Sequence, residues 1–367
     1  MAGEDTTSAQ LSAPPRSPLP PQDCTPQALR RIGDEVVAAT LQLGLPHWFW
    51  PEGVALTGMT EFASVCGKPF PDEVSRWFEQ FATRGLLPDH INDVAPGTAA
   101  VRGVAAGAGI DAGVLERLYN WLTTSPAATR DADGTWEHWP GGVWADTVYM
   151  AGLFVGELGI LWERADLVEL FGRQLMLHLK RLQHPTSGLC AHGSHRGETI
   201  WCHWGRANAW IALAGVEYLQ LARTAGLAEL DVTAQVRAAL TRQLLALLDH
   251  QPQQGVWSVL VDDQVENAGI IETSAAAGIG AAMIRAGTLV PELPVAVGAA
   301  GELAVRGALA YVDDGILTRV SAGTVLQLVP FGYSVIRDDR PQLYGQGLML
   351  QGISALLHRV DPVGPGV

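Results

Sequence analysis

Charged and charge-poor stretches alternate along this chain, and within each the apolar positions recur at helical spacing. Thr25-Pro26 reads as an N-cap with proline at the first helical position, and the residues to about Leu43 mix charged and apolar positions. Similar one-sided segments run from Pro71 to about Arg84, Asp111 to about Thr123, Ala165 to about Gln183, Asp231 to His250 and Val295 to Tyr311. Between them lie segments rich in Gly, Ala and Leu: Val54 to Val65, Gly97 to Ala106, Tyr149 to Trp162, Arg206 to about Thr224, Thr273 to Ala286 and Tyr344 to about Arg359. The first set predicts helices with one solvated face, the second helices buried all round.

Twelve helices alternating in this way predict six helical hairpins, an all-α (α/α)6 barrel with the charge-poor helices inside. The inner helices start near residues 52, 97, 147, 206, 273 and 344, a repeat of roughly 45–70 residues. Because the outer helix comes first in every hairpin, all six inner starts fall at one end. Short β segments are expected in loops, at Gly255 to Val261 and from Thr318 to Val335. Residues 1–25 are polar and Pro-rich and read as a disordered tail, residues 26–360 as the single barrel domain, and 361–367 as a C-terminal tail.

Composition narrows the partners. A net charge of −14 argues against nucleic acid and anionic membrane, and it obliges any anionic ligand to find local positive groups. No apolar run reaches the roughly 18–20 residues of a membrane span, and Met1 to Gln22 lacks the basic-then-apolar order of a signal peptide, so a cytoplasmic protein is expected. The four cysteines are scattered and read as reduced thiols. His192, His195, Cys202 and His203 cluster in sequence but lack C-x-x-C or H-E-x-x-H spacing, so neither a metal nor another cofactor is expected.

The chemistry gathers at the inner helix starts. Asp146, in Trp144-Ala145-Asp146-Thr147-Val148-Tyr149-Met150, stands where an inner helix begins, behind an aromatic loop holding Trp136, His138 and Trp139. One reading makes Asp146 an N-cap, a position Asp favours because it accepts from first-turn amides. The other makes it part of a site, because all six inner starts carry an aromatic or polar motif and converge on one mouth. Six helix N-termini aimed there present unpaired amides and positive dipole ends, which suit an anionic or hydroxyl-rich ligand. Trp48, Trp50, Trp139, Trp144, Trp204, Trp210 and Tyr344 offer faces for stacking on sugar rings, although core packing would explain each singly.

These motifs resemble glycoside hydrolase family 105, the unsaturated rhamnogalacturonyl hydrolases and related unsaturated glucuronyl hydrolases, with family 88 as sister. The resemblance is carried in order by NDVAPG (Asn92 to Gly97), WEHW (Trp136 to Trp139), WADTVYMAGLF (Trp144 to Phe154), WGRANAW (Trp204 to Trp210), ETSAAA (Glu272 to Ala277) and YGQG (Tyr344 to Gly347). It spans about residues 30 to 359. It implies release of a terminal 4,5-unsaturated uronic acid from lyase-generated oligosaccharides by hydration of the vinyl ether: an aspartic acid protonates C4 and water adds at C5. It places Asp146 as that acid/base and Asp93 as the second catalytic aspartate. His138 and Arg206 match substrate-site positions, Arg206 as the natural bidentate partner of the uronate carboxylate. His192, Trp48, Trp144, Trp204, Trp210 and Tyr344 complete the expected substrate-binding set. The chain departs from the family at Ala207 and Ala209, where glycine is more usual. A carboxyl that donates a proton near neutral pH needs a raised pKa, whereas a helix N-terminus lowers it; burial beside Trp144 or a second carboxylate such as Asp93 would resolve the conflict, pairing being the simplest answer.

Two other readings fit parts of the pattern. An (α/α)6 sugar epimerase would use histidines drawn from His90, His138, His192, His195 and His203. A non-catalytic helical toroid would bind sugar or a partner protein and keep the carboxylates only as caps. Oligomeric state leaves no trace in the sequence.

Overall fold

The computed structural model describes residues 15–82, 88–262 and 270–360. Its first hairpin pairs α1 (Pro26–Leu43) with α2 (Trp50–Val65), and the second pairs α3 (Asp72–Ala82) with α4 (Pro96–Ala105). In the third, α5 (Gly113–Thr124) leads to an inner helix broken at Ala151 into α6 (Ala145–Met150) and α7 (Gly152–Leu161). Then α8 (Ala165–Leu182) runs to a two-stranded hairpin, β1 (Gly193–His195) and β2 (Glu198–Ile200), and on to α9 (Gly205–Thr224). Next come α10 (Asp231–Asp249) with α11 (Thr273–Leu289), and last α12 (Val295–Leu309). A small β3–β4 hairpin (Val312–Asp313, Ile316–Leu317) and the short α13 (Phe331–Ser334) separate α12 from α14 (Leu343–Val360).

The inner helices touch in cyclic order, α2 to α4 to α7 to α9 to α11 to α14 and back to α2, with α8, α10 and α12 packed outside. The fold is therefore an (α/α)6 barrel, and each inner helix begins within two residues of the start read from the sequence. Small residues let the ring close. A Cβ on Gly347 would strike the Val54 carbonyl and one on Gly58 the Gly347 carbonyl, so α2 and α14 meet at backbone contact. Buried Gln346 beside it accepts from Leu317 N and donates to Gly315 O, at 2.8 Å each, which pins β4 to the inner ring. Much of the YGQG motif is thus architectural.

Several local expectations change. Thr25 caps α1 as read, accepting from Ala28 N. The 255–261 segment makes only isolated bridges, Ser258 with Ile271 and Leu260 with Trp204. The 318–335 segment is irregular chain ending in α13, held by side chains instead of a strand ladder. Within the expected tail, residues 15–25 are anchored: Arg16 pairs with Asp313 at 2.8 Å, and Leu19 exchanges bonds with Arg306. Residues 1–14 and 361–367 lie outside the described residues. Ala209 answers one departure from the family, since its methyl faces Gly278 of α11. The change is met by helix packing.

At the C-terminal end of the inner ring lies a bowl of about 1230 Å³, lined in part by Glu61, Arg102, Glu217 and Arg285. Arg102 bonds Glu157 at 2.6 Å, and Arg285 bonds Glu217 at 2.6 Å but stands 4.0 Å from Glu61. Burial, with Glu217 nearby and despite Arg285, pushes Glu61 up to about 7. A carboxyl raised in the fold contributes stability that is complete at low pH and lost as pH rises through about 7. Glu61→Gln is therefore expected to match wild type in urea unfolding at pH 5 and exceed it at pH 8, by about 1 kcal/mol or more. A variant weaker than wild type at pH 8 would show that ionised Glu61 is paired favourably.

Candidate active site

The chemistry lies at the other end, where the inner helices begin. The N-cap of α6 is Trp144, and no side chain caps this helix. Asp146 is its second residue, so the N-cap reading is overturned. Its carboxylate turns inward, and Oδ2 stands 3.4 Å from Nε2 of His192. The backbone explains the meeting: Ala145 N–H donates to His192 O, and Trp144 bridges Gly193 of β1. A Cβ at Gly193 would run into the Trp144 ring, so glycine is what lets the two segments close. His192 is fully buried while the Asp146 side chain keeps 13% exposure, so Asp146 is the member of the pair that solvent reaches.

His138 lies flat on Trp144, ring centroids 4.4 Å apart and planes 8° from parallel. Its Nδ1 lies 3.0 Å from Thr147 Oγ1 and its Nε2 3.4 Å from Asn92 Nδ2, which ties α6 to the 3-10 turn Ile91–Val94 that carries Asp93. Burial pushes His138 down to about 3, so the ring is neutral at any working pH. Asp93 Oδ2 accepts from the amides of Asp89 and His90, 3.0 Å each, and its backbone carbonyl accepts from Trp48 Nε1 at 2.8 Å.

The expected pairing of Asp93 with Asp146 gives way to a different arrangement. Burial works against the charge on Asp146, but His192, His138 and Arg206 outweigh it and hold this carboxyl below the ordinary carboxylate range. Burial pushes Asp93 up, against the two amides that favour its charged form. The two aspartates are set apart by separate surroundings, each with its own partners.

Arg206 sits behind this pair with no exposed surface. Its guanidinium is sandwiched between Trp204 and Tyr344, 4.2 and 4.6 Å from their ring centroids. Nη1 bonds Glu272 Oε2 at 3.1 Å, Ser321 Oγ at 2.9 Å and Ser321 O at 3.1 Å; Nη2 bonds Ala322 O at 3.1 Å and Thr324 Oγ1 at 3.3 Å. Glu272 also accepts from Ser274 and from the Ser321 hydroxyl and amide. The guanidinium fork expected to hold a uronate carboxylate is thus occupied by the protein's own carboxylate and by the segment after α12. Tyr344 joins it, its hydroxyl donating to Ser321 O at 2.6 Å.

The sequence-read site therefore divides. Asp146 meets His192, both His192 and His138 pack on Trp144, and Asp93 is one hydrogen-bonded step from His138 through Asn92. Trp204, Arg206 and Tyr344 form the layer behind them. Trp210 is fully buried against Tyr149 in the core, 4.6 Å between centroids, and offers no face to a sugar. Trp48 stacks on Trp77 at 5.1 Å and acts on Asp93 through its indole N–H. Trp139 is exposed, its ring 4.2 Å from that of His90. Tyr333 was not legible as a site residue, for it lies in an irregular segment without a motif; its hydroxyl meets His192 Nδ1 at 2.7 Å. Among the described residues no three His, Cys, Asp or Glu side chains are grouped to hold a metal ion; His203 pairs instead with Asp262.

A partly exposed carboxylate backed by a buried histidine, at the mouth of convergent helix N-termini, is equipped for proton transfer to a polar ligand. The fold that carries this site is an (α/α)6 barrel, and the family shown by the sequence makes it a glycoside hydrolase. The sequence profile of Glycosyl Hydrolase Family 88 matches residues 34–359, and the chain belongs to that family, in the group it forms with GH105. It is 30% identical over 346 residues to the unsaturated rhamnogalacturonyl hydrolase YesR of Bacillus subtilis, covering 88% of this chain and 93% of that one. A possible GH105 member from Salmonella enterica superposes with a TM-score of 0.82 at 22% identity, covering 98% of this chain and all of that one. An unsaturated glucuronyl hydrolase specific for heparin superposes with a TM-score of 0.67 at 13% identity, covering 93% and 99%.

Proposed function

We propose that this enzyme removes a terminal 4,5-unsaturated uronic acid from lyase-generated oligosaccharides by hydrating its vinyl ether. The observation that carries the reading is Asp146, a carboxyl freed from capping, partly exposed at the inner-helix starts and backed by His192. In the proposed reaction Asp146 gives a proton to C4 and a water adds at C5, its proton returning to Asp146. The hemiketal so formed opens, and the sugar leaves from C1. Without ligand Asp146 is held charged. A uronate carboxylate arriving beside it is a like charge that raises its pKa, so substrate binding loads the proton the reaction needs. Asp93, already raised by burial, is the second carboxyl of the site.

Histidine acid/base chemistry of the epimerase type has less support, because His138 is neutral, buried and stacked under Trp144. The likeness to YesR makes a rhamnose-linked unsaturated uronide the first substrate to try. Incubation with lyase products of several polysaccharides is expected to abolish the ultraviolet absorbance of the conjugated double bond and release products heavier by one water in total. Retained absorbance with unchanged total mass would point to isomerisation, and binding without turnover to a lectin-like role.

A further inference from the structure

Behind Asp146 the chain of polar contacts continues past His192. His192 has no exposed surface, and its Nδ1 faces the hydroxyl of Tyr333 at 2.7 Å. That hydroxyl is also approached by the Gln327 amide at 3.4 Å, which donates, leaving the phenol proton for the imidazole. Tyr333 is itself fully buried, its ring tilted against those of His192 and Trp204 at 5.9 and 6.2 Å. Burial pushes its phenol far above the usual range, so it is a neutral donor throughout. In a neutral imidazole one nitrogen donates and the other accepts, so a donor on Nδ1 leaves the proton on Nε2. Nε2 is the atom that faces Asp146.

Tyr333 reaches this place on α13, within the segment that follows β4. Arg206 fastens the same segment through Ser321, Ala322 and Thr324, and Ala322 N–H donates to Arg337 O on its far side. The buried Arg206–Glu272 pair thereby delivers a hydroxyl to the back of His192. The other titratable groups facing this chain are His138 beside Asp146, Arg206 with Glu272 behind it, and the Cys202 thiol near Tyr333.

We propose that Tyr333 is a positioning residue: its hydroxyl donates to His192 Nδ1, fixes the Nε2–H tautomer, and aims that N–H at Asp146. The role rests on Asp146 being the group that moves the proton. The 3.4 Å contact between Nε2 and Asp146 is long for a hydrogen bond, as catalytic contacts often are before substrate closes the site.

The test uses Tyr333→Phe, which keeps the buried ring and removes only the hydroxyl. Nitrogen-15 spectra of the imidazole side chains in the ligand-free full-length protein are expected to give His192 as the Nε2–H tautomer, and as a mixture in the variant. In turnover, kcat/KM is expected to fall about tenfold or more, the scale of lost partners behind a reacting group. The limb controlled by Asp146 should move to higher pH by about half a unit or more, because the carboxylate loses an aligned donor. A merely structural role would scale the profile without moving it. An Nδ1–H tautomer in the wild type, or one unchanged by the substitution, overturns the proposal, as does an unmoved limb. The spectra need no substrate, so failure of the proposed reaction shows separately as absent turnover with the tautomer still as expected.

Discussion

Asp146→Asn is expected to lower turnover on an unsaturated disaccharide by at least about 10²–10⁴-fold, the usual worth of general acid–base catalysis, while the melting temperature stays within a few degrees of wild type. Asparagine has the shape of aspartate but no carboxylic proton. Asp146 makes no cap bond that its loss would break, and Trp144 holds the N-cap position. Its carboxylate has one close polar neighbour, Nε2 of His192 at 3.4 Å. The fold favours the charged form, so the asparagine variant gives up a modest stability at neutral pH, and the kinetic change is far the larger. Asp93→Asn belongs beside it. Burial raises Asp93, so its ionisation weakens the fold as pH rises through its own pKa, and the asparagine variant should be no less stable than wild type at neutral pH. If Asp93→Asn is dead and Asp146→Asn turns over normally, the proton comes from Asp93. If both turn over normally, the hydration mechanism is wrong for this enzyme.

Arg206→Met is expected to cost about 3–5 kcal/mol in urea unfolding, the scale for removing one partner of a buried ion pair. Glu272 would be left charged, buried and short of its cation, and the carbonyls of Ser321 and Ala322 would lose their donor. The double variant Arg206→Met with Glu272→Gln should recover part of that loss, because the uncompensated charge is gone. Arg206→Lys should behave more like the methionine variant than like wild type. A lysine is a point charge without the planar fork that spans Nη1 and Nη2 here. Activity should fall with stability in this series, since the fastened segment brings Tyr333 to His192. A variant that keeps wild-type stability yet loses affinity for the uronide would return Arg206 to the role of carboxylate clamp, with the segment moved aside on binding.

The architecture was legible because it rests on periodicity and charge, which every residue of a helix reports. Loss of charge around α2, α4, α9, α11 and α14 marks helices with no solvated side, and alternation with charged partners allows few folds. The motif residues themselves were ambiguous, because a glycine or tryptophan at a helix start serves packing and binding alike. Only tertiary contact separates the uses: Gly347 proves to be a backbone crossing with α2, Trp210 a core ring, and Trp144 the surface on which His138 lies. Charge is less local still. Sequence places Asp146 and Asp93 at helix starts, but burial and partners set their pKa values, and those partners come from residues 89, 90, 138, 192 and 206. Arg206 has a free fork in sequence and an occupied one in the fold, since its acceptors lie 66 and 115 positions away. Tyr333, 141 positions from His192 in a segment with no periodicity, could be found only once the chain had closed over the site.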